Sequence, residues 1–179
     1  QADEKSQIGR ATAELIKDGE TVFLGSGTTV LETAKNLRER KNLTVITNSL
    51  PVLNALAGIK EITVVSLGGQ LRESELSFIG HITEQALAEV RVDKVIMGAR
   101  GLSLEHGLTN DYLQETLTDR AILKIGHEVI LVADHSKVNR VSTALLAPLS
   151  SMNTFVTDSK ADKKFIQALK KQNIKVVIA

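Results

Sequence analysis

Five clusters of small, hydroxyl-bearing and charged residues punctuate the 179-residue chain: Gly25-Ser26-Gly27-Thr28-Thr29, Asn48-Ser49, Gly68-Gly69, Gly98-Ala99-Arg100-Gly101 and Asp134-His135-Ser136-Lys137. Their chemistry suits a phosphorylated polyol. Backbone N–H groups and hydroxyls take the phosphate, Lys137 supplies a compact positive charge, and Asn48 and Asp134 hydrogen-bond sugar hydroxyls. The first cluster follows the apolar run Thr21-Val22-Phe23-Leu24 and opens a helical pattern, with Thr28 or Thr29 as its cap. Free N–H groups at a helix start attract anions, which makes this unit a phosphate cradle. It has neither the lysine of a Walker loop nor the glycine spacing of a dinucleotide fingerprint. Alone, it reads equally well as an ordinary βα turn. Lys137 alone would be an exposed surface lysine, and Asp134 a cap or turn residue. Glu115, one turn into a later helix, either faces the pocket or simply favours that helix's N-terminus.

The elements that must position these clusters follow from hydrophobic period. Helical patterns run over residues 1 to 19 (Ile8, Ala11, Leu15, Ile16), over Val30, Leu31, Ala34 and Leu37, and from Pro51 to about Ala57. Further helices are predicted over Ile79, Ile82, Ala86, Leu87 and Val90, over Tyr112 to Ile125 with Leu113, Leu117, Ala121 and Ile122 inward, and over Ala161, Phe165, Ile166 and Leu169. Between them lie short β-branched runs at residues 21–24, 43–47, 62–67, 94–97, 129–133, 154–157 and 174–178, with a long polar loop from Gly98 to Asp111. Residues 138–149 carry no clear pattern beyond a possible short strand. Nearly continuous apolar strands alternating with helices predict one α/β domain, a doubly wound and mostly parallel sheet covered on both faces. Ligands of such sheets bind beyond the carboxyl ends of the strands, where all five clusters fall.

Composition excludes several classes. Charges nearly cancel, 22 basic against 21 acidic, so no global field favours nucleic acid or an acidic membrane. With four Phe, one Tyr and no Trp there is no base-stacking surface. There is no cysteine, and the four histidines lack paired ligand spacing, so no metal or other cofactor is expected. His106 and His135 read as polar loop residues. No apolar run approaches about 18 residues, which predicts a cytoplasmic protein without a membrane partner. A first residue of Gln implies a piece of a longer product.

The ordered set of segments resembles the effector-binding domain of the DeoR family of bacterial sugar-metabolism repressors. The matching segments are Glu4-Lys5, Ser26-Gly27-Thr28-Thr29, Thr47-Asn48-Ser49-Leu50-Pro51, Leu67-Gly68-Gly69, Gly107-Leu108-Thr109 with Glu115, and Ala133-Asp134-His135-Ser136-Lys137. The resemblance implies a fold similar to ribose-5-phosphate isomerase and a phosphorylated sugar or related metabolite as effector. It also implies an even-numbered homo-oligomer, dimer or tetramer, and a winged helix-turn-helix at the N-terminus that this chain does not contain. DNA would be bound only through that missing domain. The effector site implied comprises Ser26, Gly27, Thr28, Thr29, Asn48, Ser49, Gly68, Gly69, Arg100, Glu115, Asp134 and Lys137.

Three positions depart from the family pattern. Gly25 stands where an acid is frequent, Arg100 where a small polar residue is common in the Gly-Ala-X-Gly loop, and Ser103 where another acid often occurs. These changes predict a ligand more anionic than a sugar monophosphate, unless Arg100 points outward into a subunit contact. The same departures separate sensor from enzyme. An isomerase needs a positioned carboxylate base, and Glu115 alone is a thin basis for one. A sensor needs only different affinities in two conformations. The sequence therefore predicts a ligand-sensing repressor domain, with a sugar-phosphate isomerase as the alternative and a purely structural oligomerisation domain as the third reading.

Overall fold

The computed structural model describes residues 1–179. Seven strands form one parallel sheet: β1 (Thr21–Leu24), β2 (Leu43–Thr47), β3 (Ile62–Ser66), β6 (Val92–Met97), β9 (Gly126–Val132), β11 (Thr154–Thr157) and β12 (Lys175–Ile178). Their order is β12-β11-β9-β6-β1-β2-β3. From β1 the chain winds outward through β2 to β3, then returns to the other side of β1 with β6. The β1/β6 seam is thus the point where the winding reverses, and crevices that hold ligands form at such points.

Alternate residues of each strand enter opposite cores, because side chains alternate across a pleated sheet. Phe23, Val95, Met97, Val129, Leu131 and Phe155 pack on one face. Val22, Leu24, Ile96, Ile130, Val132 and Val156 pack on the other, under α1 (Ala2–Glu14), α2 (Thr28–Lys35) and α3 (Leu50–Leu56). The first face is covered by α4 (His81–Leu87), α5 (Leu113–Leu123) and α6 (Lys163–Lys171). Gly9 makes the α1–α2 crossing possible: a Cβ there would lie 2.5 Å from Glu32 Cβ and 2.6 Å from its carbonyl carbon. No helix is long and apolar enough to cross a membrane.

The structure corrects four details of the sequence reading. The predicted loop 98–111 contains β7 (Gly101–Ser103) and β8 (Gly107–Asn110), an antiparallel hairpin extended by β10 (Ala144–Ala147) from the patternless segment. Ile79 belongs to β5 (Ser77–Ile79), paired with β4 (Gln70–Arg72) in a second hairpin, and not to a helix. Ile82 is exposed. On α5, Ile122 is buried and Ala121 packs against the core as expected, but the first two turns face the other way. Leu113 and Leu117 are 65% and 56% exposed, whereas Glu115, Thr116, Thr118 and Asp119 are buried beside Ile122. These polar groups find partners inside, which lifts the penalty that would otherwise keep them out.

Candidate functional site

A cavity of about 330 Å³ opens at the carboxyl ends of β1, β6 and β9, over the seam where the winding reverses. Only four of its twenty lining residues are hydrophobic, which suits a hydrated, charged ligand. At one end, the Gly25 N–H donates to Ile96 O (3.0 Å) and closes the seam. Gly27, at φ 109°, is the helix cap, so neither Thr28 nor Thr29 serves as one. The first bond of the α2 ladder runs from Leu31 N–H to Gly27 O (3.0 Å). The N–H groups of Thr28, Thr29 and Val30 therefore have no acceptor within the helix, and Thr28, Thr29 and Val30 all line the cavity.

Two lysines face the same end, Lys137 from a 3₁₀ turn (His135–Lys137) and Lys5 from α1. Neither has a carboxylate within ion-pair distance. Burial lowers the Lys137 pKa despite nearby Asp134, and the charges of Arg100, Arg140 and Lys5 lower it further. Asp134 is buried, yet its carboxyl sits below the usual aspartate range: burial raises it, but bonds from the Ser136 hydroxyl and N–H, with Lys137 beyond, more than reverse that. The Ser136 N–H and hydroxyl lie 2.9 and 2.5 Å from Asp134 Oδ1. His135, read from sequence as a polar loop residue, anchors its turn. Its N–H donates to Asp158 Oδ2 (2.8 Å) and its ring Nδ1 lies 3.0 Å from Asp158 Oδ1.

The other end is walled by the β4–β5 hairpin and the buried face of α5. Arg72 pairs with Glu115, the two side chains being 16% and 9% exposed, and stacks 4.2 Å above the Tyr112 ring centroid. Ser26 and Ser77 hydroxyls also donate to Glu115 Oε1, at 3.1 and 3.2 Å. One turn on, Asp119 accepts from Asn110 Nδ2 (2.6 Å). Burial, reinforced by the Glu115 charge, raises the Asp119 pKa well above the ordinary value. Asp111 lies between two guanidiniums, 3.9 Å from Arg72 and 3.5 Å from Arg100. Arg100 also pairs with Glu75, in the loop joining β4 to β5.

Residues 1–159 match the family described as the DeoR C terminal sensor domain. The chain belongs to the DeoR family. It is 33% identical to the HTH-type transcriptional regulator IolR of Bacillus subtilis over 99% of this chain and 70% of that protein. It is 35% identical to the transcriptional repressor AccR of Agrobacterium fabrum, covering 92% of this chain and 69% of that protein. The glycerol-3-phosphate regulon repressor of Escherichia coli is 32% identical over 98% of this chain and 70% of its own length. Among solved structures, ribose 5-phosphate isomerase A from Neisseria gonorrhoeae has a TM-score of 0.57 at 19% identity, covering 79% of this chain and 55% of that one. This DeoR chain spans about half the length of the isomerases it matches, and the likeness establishes the fold: an isomerase-like, mostly parallel α/β domain. The family is one of regulatory sensor domains, not of catalysts.

Of the DeoR-type site residues expected from sequence, Ser26, Gly27, Thr28, Thr29, Arg100, Glu115, Asp134 and Lys137 line the cavity together. Asn48, Ser49, Gly68 and Gly69 do not. Asn48 is buried and its amide donates to Phe78 O (2.9 Å), while Ser49 caps α3 by accepting from Val52 N–H (3.3 Å). Gly68 O accepts from the Thr83 hydroxyl (2.7 Å), and a Cβ on Gly69 would strike that hydroxyl at 1.9 Å. Asn48 thus ties down the hairpin, Ser49 starts α3, and Gly68 and Gly69 receive α4. Ser103 is outside as well, turning the β7–β8 hairpin by accepting from Glu105 and His106 N–H, each at 3.2 Å. Its departure from the family pattern therefore has no bearing on the pocket. At Gly25 a Cβ would meet Met97 Cβ at an ordinary 3.4 Å, so packing does not forbid an acid there. Sequence reasoning missed Lys5, Arg72, Glu75, Asn110, Asp111 and Asp119 as lining residues. Only Lys5 left a trace, as part of the Glu4-Lys5 match.

Proposed function

We propose that this domain senses a phosphorylated sugar or related anionic metabolite in the cavity over the β1/β6 seam, and that occupancy alters DNA binding by a winged helix-turn-helix domain outside this chain. The observation that carries the reading is the pair of unpaired lysines, Lys5 and Lys137, facing the free N–H groups of Thr28, Thr29 and Val30. Burial weighs against the charge on Lys137, and an anion beside it removes that penalty. The name of the glycerol-3-phosphate regulon repressor agrees with an effector of this chemistry. Glu115 is clamped by Arg72, Ser26 and Ser77, which suits an architectural acid better than a base awaiting a substrate proton.

The test is a thermal-shift screen of phosphorylated sugars against their unphosphorylated parents. A ligand that binds only the folded state raises its melting temperature. Phosphate-dependent stabilisation supports the reading, and its absence across the screen refutes it. Self-association belongs to the same proposal: Leu113, Leu117 and Leu145 leave apolar surface exposed on α5 and β10. Sedimentation should then show a dimer or larger species that Leu117→Glu weakens.

A further inference from the structure

The two cationic ends of the cavity differ in what they already hold. Lys5 and Lys137 hold nothing, whereas the Arg100 guanidinium is engaged by the Glu75 carboxylate and lies 3.5 Å from Asp111 Oδ2. The Arg100 backbone N–H donates to Thr109 O (3.0 Å) and also lies 3.4 Å from Asn110 Oδ1, which fixes the residue's place at the cavity wall. Glu75 is thus one of five acids lining the cavity, and the one that the loop between β4 and β5 sets against the Arg100 guanidinium. Its pairing is weak in kind, because the Arg100 side chain is 41% exposed, and exposed ion pairs exchange readily with other anions.

The segment carrying Glu75 is tied at both ends and not in the middle. Arg72 is fixed below it by Glu115, and Leu76 above it by its carbonyl, which accepts from Leu50 N–H (2.9 Å). Leu76 is held at φ 53°, a backbone conformation sparsely occupied by branched residues and recurrent at switching segments. Glu75 can leave Arg100 without disturbing either anchor.

We propose that Arg100 is a second anion subsite of this cavity and that Glu75 occupies it when no ligand is bound. The effector class is then a phosphorylated sugar derivative with a second anionic group, carboxylate or phosphate. Its first phosphate lies at Thr28–Val30 and Lys137, and its second group displaces Glu75 from Arg100. A ligand with one phosphate leaves the Glu75–Arg100 pair closed. This rests on the sensor reading above and narrows its ligand.

Calorimetric titration at fixed ionic strength with glucose 6-phosphate, 6-phosphogluconate and fructose 1,6-bisphosphate tests it, using the wild-type chain, Glu75→Gln and Arg100→Gln. The wild type should prefer the better of the two doubly anionic probes by about tenfold over glucose 6-phosphate. Arg100→Gln should shrink that ratio to about twofold or less, and Glu75→Gln should widen it by about fivefold. Which of the two probes leads identifies the second group as carboxylate or phosphate. A ratio unmoved by Arg100→Gln, a ratio narrowed by Glu75→Gln, or equal wild-type affinity for all three probes overturns the proposal. So does binding of none of them. Stabilisation by other singly phosphorylated sugars in the thermal screen would then leave the sensor reading standing alone.

Discussion

The two ends of the pocket contain the same kinds of charge in opposite states of pairing. At the α2 end, Lys5 and Lys137 are without carboxylate partners and the helix N–H groups are free. At the hairpin end, Arg72 and Arg100 are tied to Glu115, Asp111 and Glu75. Cations paired within the chain hold architecture. Cations kept unpaired against burial are retained for something the chain does not supply. On the proposed reading, the first end is the receptor and the second a frame with one exchangeable contact.

Breaking the frame should have the largest effect. Arg72→Met leaves Glu115 buried with only two serine hydroxyls, and loss of one partner of a buried pair costs about 3–5 kcal/mol. Chemical denaturation would read this, and adding Glu115→Gln should recover part of it. Recovery of nothing would mean that Arg72 acts through its stacking on Tyr112 and not through the pair.

Removing the receptor charge should act on binding instead. Lys137→Met should weaken a phosphorylated ligand about 100-fold, or roughly 2.7 kcal/mol, with no loss of unliganded stability, because burial already opposes that charge. Lys5→Met should cost less, about threefold, since its long side chain approaches from another helix and stays partly in water. Equal losses for the two lysines would make the phosphate position straddle α1 and α2.

The smallest expected effect sharpens the frame. Asp119 has a raised folded pKa, from burial first and the Glu115 charge second. The folded chain then holds that proton more tightly than the unfolded one. Its contribution is most favourable below the ordinary value of 3.8 and declines as pH rises toward the folded value. Asp119→Asn should remove this slope, so its melting temperature gains on the wild type as pH rises from 4 to about 8. Parallel curves would contradict the burial of an ionisable group there.

The two ends were unequally legible in the sequence. Apart from Lys5, which arrives from α1, the α2 end is built from contiguous residues at strand ends. An apolar run, two glycines and three hydroxyls from Thr21 to Thr29 already describe it, and Asp134 to Lys137 does the same after β9. The hairpin end is assembled from a distance. Glu115 meets Arg72 across 43 positions and Ser77 across 38, and no local period registers such partners. For the same reason the first two turns of α5 face opposite to their apolar spacing: Leu113 and Leu117 have the spacing of a core face, but Arg72, Ser26, Ser77 and Asn110 draw Glu115 and Asp119 inward. The three-residue strands β4, β5 and β7 are too short to show alternation, so their residues read as polar link and loop or, for Ile79, as the start of a helix.

The position of the phosphate decides the matter. Amide hydrogen exchange across Ser26–Val30, with and without a phosphorylated sugar that stabilises the domain, measures this directly. The free N–H groups of Thr28, Thr29 and Val30 should exchange fast in the unliganded chain and slow markedly on binding, and Lys137→Met should abolish the slowing. Binding that leaves those amides as fast as before would contradict it.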